Sequence, residues 1–184
     1  GLELMRKARA ACLRENPNTL FLAETQGAVL YSAAEHEYDW AFARLLHDHV
    51  LADDPAAFVQ GMSGYLENHT YAFPADAFPI RFLTNHDELR ARYLYGPGLH
   101  RALLALCAFM KGAPLLYHEQ EIGNEDFLAR LYGIRARYDE LSVGKVSYRR
   151  VRATPDTVFC IEREHQGKRS VAVVNLVNEP AAVR

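Results

Sequence analysis

The 184-residue sequence predicts an α/β fold up to about residue 142, followed by a short antiparallel β module. Three observations carry this expectation. Short apolar runs alternate with segments of helical periodicity, the pattern of parallel strands with helices packed outside them. Three of the four candidate strands end abruptly in polar or ionisable clusters: Glu24, then Asn85-His86-Asp87, then His118-Glu119-Gln120-Glu121. After residue 142 the helical spacing stops and three β-rich runs follow, the last two joined by the turn signal His165-Gln166-Gly167-Lys168.

Leu2, Met5, Ala8 and Cys12 recur three or four residues apart, which predicts an amphipathic helix ended by Asn16-Pro17-Asn18. TLFLAE (19–24) is a continuous apolar run closing on a carboxylate, as expected of a strand buried on both faces. EYDWAF, in the 35–42 region, reads as a second strand on aromatic enrichment alone. Asp53-Asp54-Pro55 then opens a helix whose apolar positions are Phe58, Val59, Met62, Tyr65 and Leu66. PIRFLTNHD (79–87) is the next strand, and LHRALLALCAFM (99–110) the next helix, closed by Lys111-Gly112. APLLYHEQE (113–121) runs into another strand and FLARLYGIRARYDEL (127–141) into another helix. The boundary at 142/143 separates this part from VSYRRVR, TVFCIERE and RSVAVVNL. In parallel sheets and barrels function collects at the C-terminal ends of the strands, so the polar clusters should meet on one face.

Composition excludes several classes. With 49% hydrophobic and 24% charged residues the chain reads as globular and soluble. A formal charge of −2 gives no footprint for nucleic acid or an anionic membrane. No apolar run reaches the roughly 20 residues that span a bilayer. The first residues lack the apolar core of a signal peptide, and the compartment stays undetermined. Cys12, Cys107 and Cys160 are scattered, which suggests free thiols. Neither His47-Asp48-His49 nor His118-Glu119-Gln120-Glu121 has the spacing of a helical zinc site, so no metal ligands are assigned.

FLAE, FLTNHD and GAPLLYHEQEIG, in this order and spacing, resemble the α-amylase family of glycoside hydrolases and glucan transferases. Gly112, Pro114, Tyr117, Glu121 and Gly123 match that family's last barrel segment. The resemblance implies the second half of a (β/α)8 TIM barrel over residues 1–142 and the start of a partial antiparallel β-sandwich domain over 143–184. It further implies a retaining hydrolase of α-glucosidic bonds acting on starch-type glucans or maltooligosaccharides. Glu24 matches the family's general acid/base and Asp87 its transition-state carboxylate. His86, Asn85 and Tyr117 are the implied sugar-binding residues. The family's nucleophile follows an Arg-x-Asp pattern on an earlier strand. The only such triplet here, Arg137-Tyr138-Asp139, falls in the last helix. The chain alone is therefore expected to be inactive, with the N-terminal half of the barrel as its missing partner. Any calcium site belongs to that absent half, and no cofactor is expected in this chain. Two open strand edges, at TLFLAE and APLLYHEQE, invite self-association. Glu119 stands where the family customarily has Gly. Glu88 and LAETQ lean equally toward a trehalose-synthase-like isomerase or transferase, and a non-catalytic sugar-binding relative is the alternative outside enzymes.

The residue types suit the chemistry. A retaining glycosidase needs two carboxyl groups flanking the scissile bond, one to attack and one to donate and recover a proton. Glu24 has the reach for the second role, and burial beside Asp87 would raise its pKa. Ionised Asp87 can oppose the charge of an oxocarbenium-like ring while His86 donates to a hydroxyl. The plainer readings are a capping Asp, a core His, an Asn85 that fixes the turn and a Tyr117 that packs. Tyr38, Asp39 and Trp40 read as core or as a sugar platform.

Overall fold

The computed structural model describes residues 1–50, 52–177 and 179–183, without the side chains of His49 and Val50. Four short parallel strands lead the architecture: β1 (Leu22–Ala23), β2 (His36–Glu37), β3 (Ile80–Arg81) and β4 (Ala113–Pro114). β1 pairs with β2 and β3 with β4, and a parallel bridge between Tyr38 and Ile80 joins the two pairs into one sequential order. Helices α1 (Leu2–Glu15), α2 (Trp40–Leu45), α3 (Pro55–Ala72), α4 (Ala91–Phe109) and α5 (Glu125–Arg137) lie between and beside the strands. A one-turn helix α6 (Asp139–Ser142) leads into the antiparallel ladder β5 (Lys145–Ser147), β6 (Val158–His165) and β7 (Lys168–Asn175). The ladder's main hairpin turns at Gln166 and Gly167, both at positive φ, as a two-residue turn of matching twist requires.

Side-chain alternation gives the sheet two unlike faces. Glu37, Asp39 and Arg81 point toward α2 and α3 and are buried. Leu22, His36, Tyr38 and Ile80 share the other face, which is only partly covered, and Leu22 is 48% exposed there. TLFLAE is thus not buried on both faces: Leu22 leaves about half of its surface open on the second face, and β1 has one strand neighbour among the described residues. The apolar stripe of α1 is uncovered for the same reason. That helix buries no side chain, and Arg6 to Ser32 (2.8 Å) and Arg9 to Glu35 tie it to the sheet.

Two more expectations are corrected. In EYDWAF only Glu37 is in a strand, because the Asp39 carboxylate accepts from the Phe42 N–H (3.1 Å) and starts α2 at Trp40. The helix over 127–141 is broken at Tyr138, whose backbone is extended. The helix over 99–110 begins where Gly96 (φ 66°) and Pro97 interrupt α4. Asp54 caps α3 through the Ala57 N–H (2.9 Å), with Pro55 in its first turn. One continuous core joins both parts of the chain: Phe42, Phe58 and Met62 from α2 and α3, Leu103 and Leu106 from α4, and Phe159 and Ile161 from β6. Arg163 crosses that junction, buried, donating to the Phe109 and Gly144 carbonyls at 3.1 and 3.0 Å. Burial lowers its pKa to about 10. Among the described residues no helix is long and apolar enough to cross a membrane, and all three cysteines are free.

Candidate functional site

The polar clusters after β1 and β3 do meet. His86 Nε2 lies 3.2 Å from Glu24 Oε1 and 3.5 Å from Asp87 Oδ1. Glu24 follows β1 on the face of Leu22, the partly covered side of the sheet. Asn85 sets the turn that presents the other two. Its Oδ1 accepts from the Asp87 N–H (2.9 Å), and its carbonyl accepts from the Glu88 N–H (3.4 Å). The Asn85 side chain is itself buried, so it shapes the turn from beneath rather than joining His86 and Asp87 on the open surface. The side chains of Glu24, His86 and Asp87 are 56%, 55% and 61% exposed. The burial expected around Glu24 is therefore not found, because the second face of β1 is open. Glu88, next in line, is half-buried, and burial raises its pKa against the lowering pull of His47.

Tyr117 lies on the segment after β4. The Arg90 guanidinium lies over its ring, 4.7 Å from the centroid, so that ring face carries an arginine. Glu119 then takes φ 74°, the left-handed conformation that a glycine adopts freely. Its carboxylate stands 3.5 Å from Arg90 Nε and 3.4 Å from Arg92 Nη2. Gln120 is buried and locks the same segment down. It accepts from the Tyr117 N–H (3.1 Å) and donates to Thr84 Oγ1 (3.2 Å), two residues before His86. The loops after β3 and β4 are thus tied together beside the Glu24–His86–Asp87 cluster.

The aromatic residues divide. Tyr38 and Trp40 stack on each other (5.9 Å between centroids) and both meet Phe82 edge-on, with partial exposure on the open face. Asp39 between them turns the other way. It is buried, takes hydrogen bonds from Gln26 (3.0 Å) and the Tyr65 hydroxyl, and pairs with Arg81. This pair was not anticipated; an arginine inside the apolar run PIRFL was the signal that could have found it. Of the two histidine-containing clusters, the His49 side chain of the first lies outside the described residues. In the second, His118 pairs only weakly with Glu119, at 3.9 Å.

No protein-family model matches the chain, and no curated sequence matches it significantly. Solved structures do share its fold. An α-amylase from Lactobacillus plantarum superposes with a TM-score of 0.85 at 19% identity, covering 100% of this chain and 51% of its own. A maltogenic α-amylase from Thermotoga neapolitana gives 0.84 at 18% identity, covering 97% of this chain and 46% of its own. A cyclic α-maltosyl-(1→6)-maltose hydrolase from Arthrobacter globiformis gives 0.78 at 17% identity, covering 95% and 46%. The chain therefore has the fold of about half of each of these proteins.

Proposed function

We propose that this chain is the second half of the catalytic (β/α)8 barrel of an α-amylase-family glycoside hydrolase, with the start of its C-terminal β domain, and that the whole hydrolase acts on α-glucosidic bonds of glucans or maltooligosaccharides, the chain by itself being inactive. The observation that carries the proposal is the convergence of Glu24 with His86 and Asp87 at the ends of β1 and β3, far apart in sequence and adjacent in space. The fold likeness to half of several α-amylases and a maltosyl-maltose hydrolase supports it.

In this reading Glu24 protonates the leaving glycosidic oxygen and later takes a proton from water. Asp87 opposes positive charge on the ring at the cleavage point, and His86 donates to one of its hydroxyls. The cluster lies on the face that an upstream half-barrel would close, and closure would also exclude the water that now reaches Glu24. That upstream half supplies the nucleophile, without which no glycosyl-enzyme intermediate forms. The test is an assay of the purified chain on starch, maltooligosaccharides and an aryl α-glucoside, alone and with the upstream half added. No turnover alone, and turnover on recombination that Glu24→Gln removes, is the expected result. Turnover by the chain alone that Glu24→Gln abolishes would overturn the missing-nucleophile reading.

A further inference from the structure

The cluster after β1 and β3 has the geometry of a metal site as well as of a sugar grip. One imidazole nitrogen and two carboxylate oxygens, from His86, Glu24 and Asp87, all lie within 4.8 Å of one another. Zinc binds such donors with bonds of about 2.0–2.2 Å, and the tetrahedral angle then places neighbouring donors roughly 3.4 Å apart. The two observed separations from His86 Nε2, 3.2 and 3.5 Å, bracket that spacing. An ion can therefore enter between these side chains with little rearrangement of the two contacts.

The donors are also presented rather than loose. Buried Asn85 holds the His86-Asp87 turn through the Asp87 N–H, and Gln120 fixes Thr84 just ahead of it. In the chain by itself more than half of each side chain faces solvent, which leaves an entry path and room for water as a fourth ligand. Calcium and magnesium take oxygen ligands, so the imidazole nitrogen of His86 in the set disfavours both. Mixed imidazole and carboxylate donors suit the zinc end of the divalent series.

We propose that Glu24, His86 and Asp87 form a binding site for a zinc-class divalent metal ion. Where the sugar reading holds, a metal there displaces the proton that Glu24 would donate; the binding itself does not depend on that reading, so a binding isotherm and an activity assay fail separately. The test is titration calorimetry of zinc chloride into the purified chain near neutral pH, repeated with Glu24→Gln and His86→Ala. His118→Ala controls for zinc taken up by an exposed histidine elsewhere. One zinc per chain is expected, weakened about tenfold or more by each of the first two substitutions, as loss of a ligand should exceed loss of an outer partner. His118→Ala should leave it unchanged, and calcium should not compete. Trp40 is the only tryptophan, and it stacks on Tyr38, which shares the open face of the sheet with Leu22. Its quenching by copper(II), lost in the same two variants, is a second reading at low protein concentration. Absence of saturable zinc uptake by the native chain, or uptake that neither Glu24→Gln nor His86→Ala weakens, overturns the proposal.

Discussion

Replacing Arg81 by Met should cost the chain a large part of its stability. Asp39 and Arg81 are 0% and 2% exposed and face each other as an ion pair behind the sheet. Asp39 Oδ1 keeps neutral donors from Gln26, Phe42 and Tyr65 in the variant, but Oδ2 loses its charged partner. Arg81 Nε also donates to the Lys111 carbonyl (3.0 Å), so that bond goes as well. Breaking a buried pair from one side costs about 3–5 kcal/mol because a charge is left uncompensated. With a urea slope of about 2 kcal/mol per molar, a loss of about 4 kcal/mol moves the unfolding midpoint down by about 2 M. The double variant Arg81→Met/Asp39→Asn removes both charges of the pair and keeps a helix-capping side chain. It should recover roughly half of the loss or more. Urea unfolding of the three proteins at neutral pH, followed by circular dichroism, reads both losses. A double variant as unstable as the single one refutes the reasoning.

Three further expectations concern the scaffold. Burial raises the Glu35 pKa, but hydrogen bonds from Arg9 and the Phe21 N–H outweigh it and leave the group below its ordinary value. The stability this contributes is present above the unfolded-state pKa and is lost as pH falls through the folded one, so acidification should release α1; hydrogen exchange showing α1 amides equally protected at acidic and neutral pH would count against it. Gly112 has φ 128° and a Cβ there would overlap the Pro79 carbonyl oxygen, so Gly112→Ala should lower thermal stability by several degrees and shift the β3–β4 register; an unchanged melting temperature would refute it. β1 and β4 each have a free edge among the described residues, so the isolated chain should self-associate, and sedimentation showing a stable monomer with cooperative unfolding would argue otherwise.

Much of the fold was legible because its signals are local. The capped start of α3 at Asp54-Pro55 and the Gln166-Gly167 hairpin sit in short stretches whose backbone preferences act alone. The misreadings depend on neighbours. TLFLAE carries the composition of a doubly buried strand, and one of its faces is open because burial is decided by what packs there. EYDWAF fails as a strand because one hydrogen bond, from the Phe42 N–H to Asp39, converts aromatic strand-formers into a helix start. The cluster of Glu24, His86 and Asp87 was legible from strand-end polarity. Turn fixing by Asn85 and packing of Tyr117 were the plainer readings of those residues; that an arginine is what packs on Tyr117 depends on side-chain direction, which the sequence does not carry.

Glu119 shows how backbone and chemistry separate at one position. The α-amylase resemblance calls for Gly there, and an L-residue in the left-handed region costs about 1–2 kcal/mol. The structure keeps the glycine-like backbone, φ 74°, and gives the position a carboxylate. Two arginines at the start of α4, Arg90 and Arg92, meet that carboxylate, and a pair of partly exposed ion contacts returns no more than about 1 kcal/mol. The two terms are comparable, so stability alone gives little reason for Glu over Gly. What the carboxylate adds is a link: it holds Arg90, Arg90 lies over Tyr117, and Tyr117 shares Gln120 with Thr84. The turn at residue 119 follows from how β4 must leave the sheet, whereas the residue that occupies it determines how firmly the loop after β3, and with it His86 and Asp87, is held.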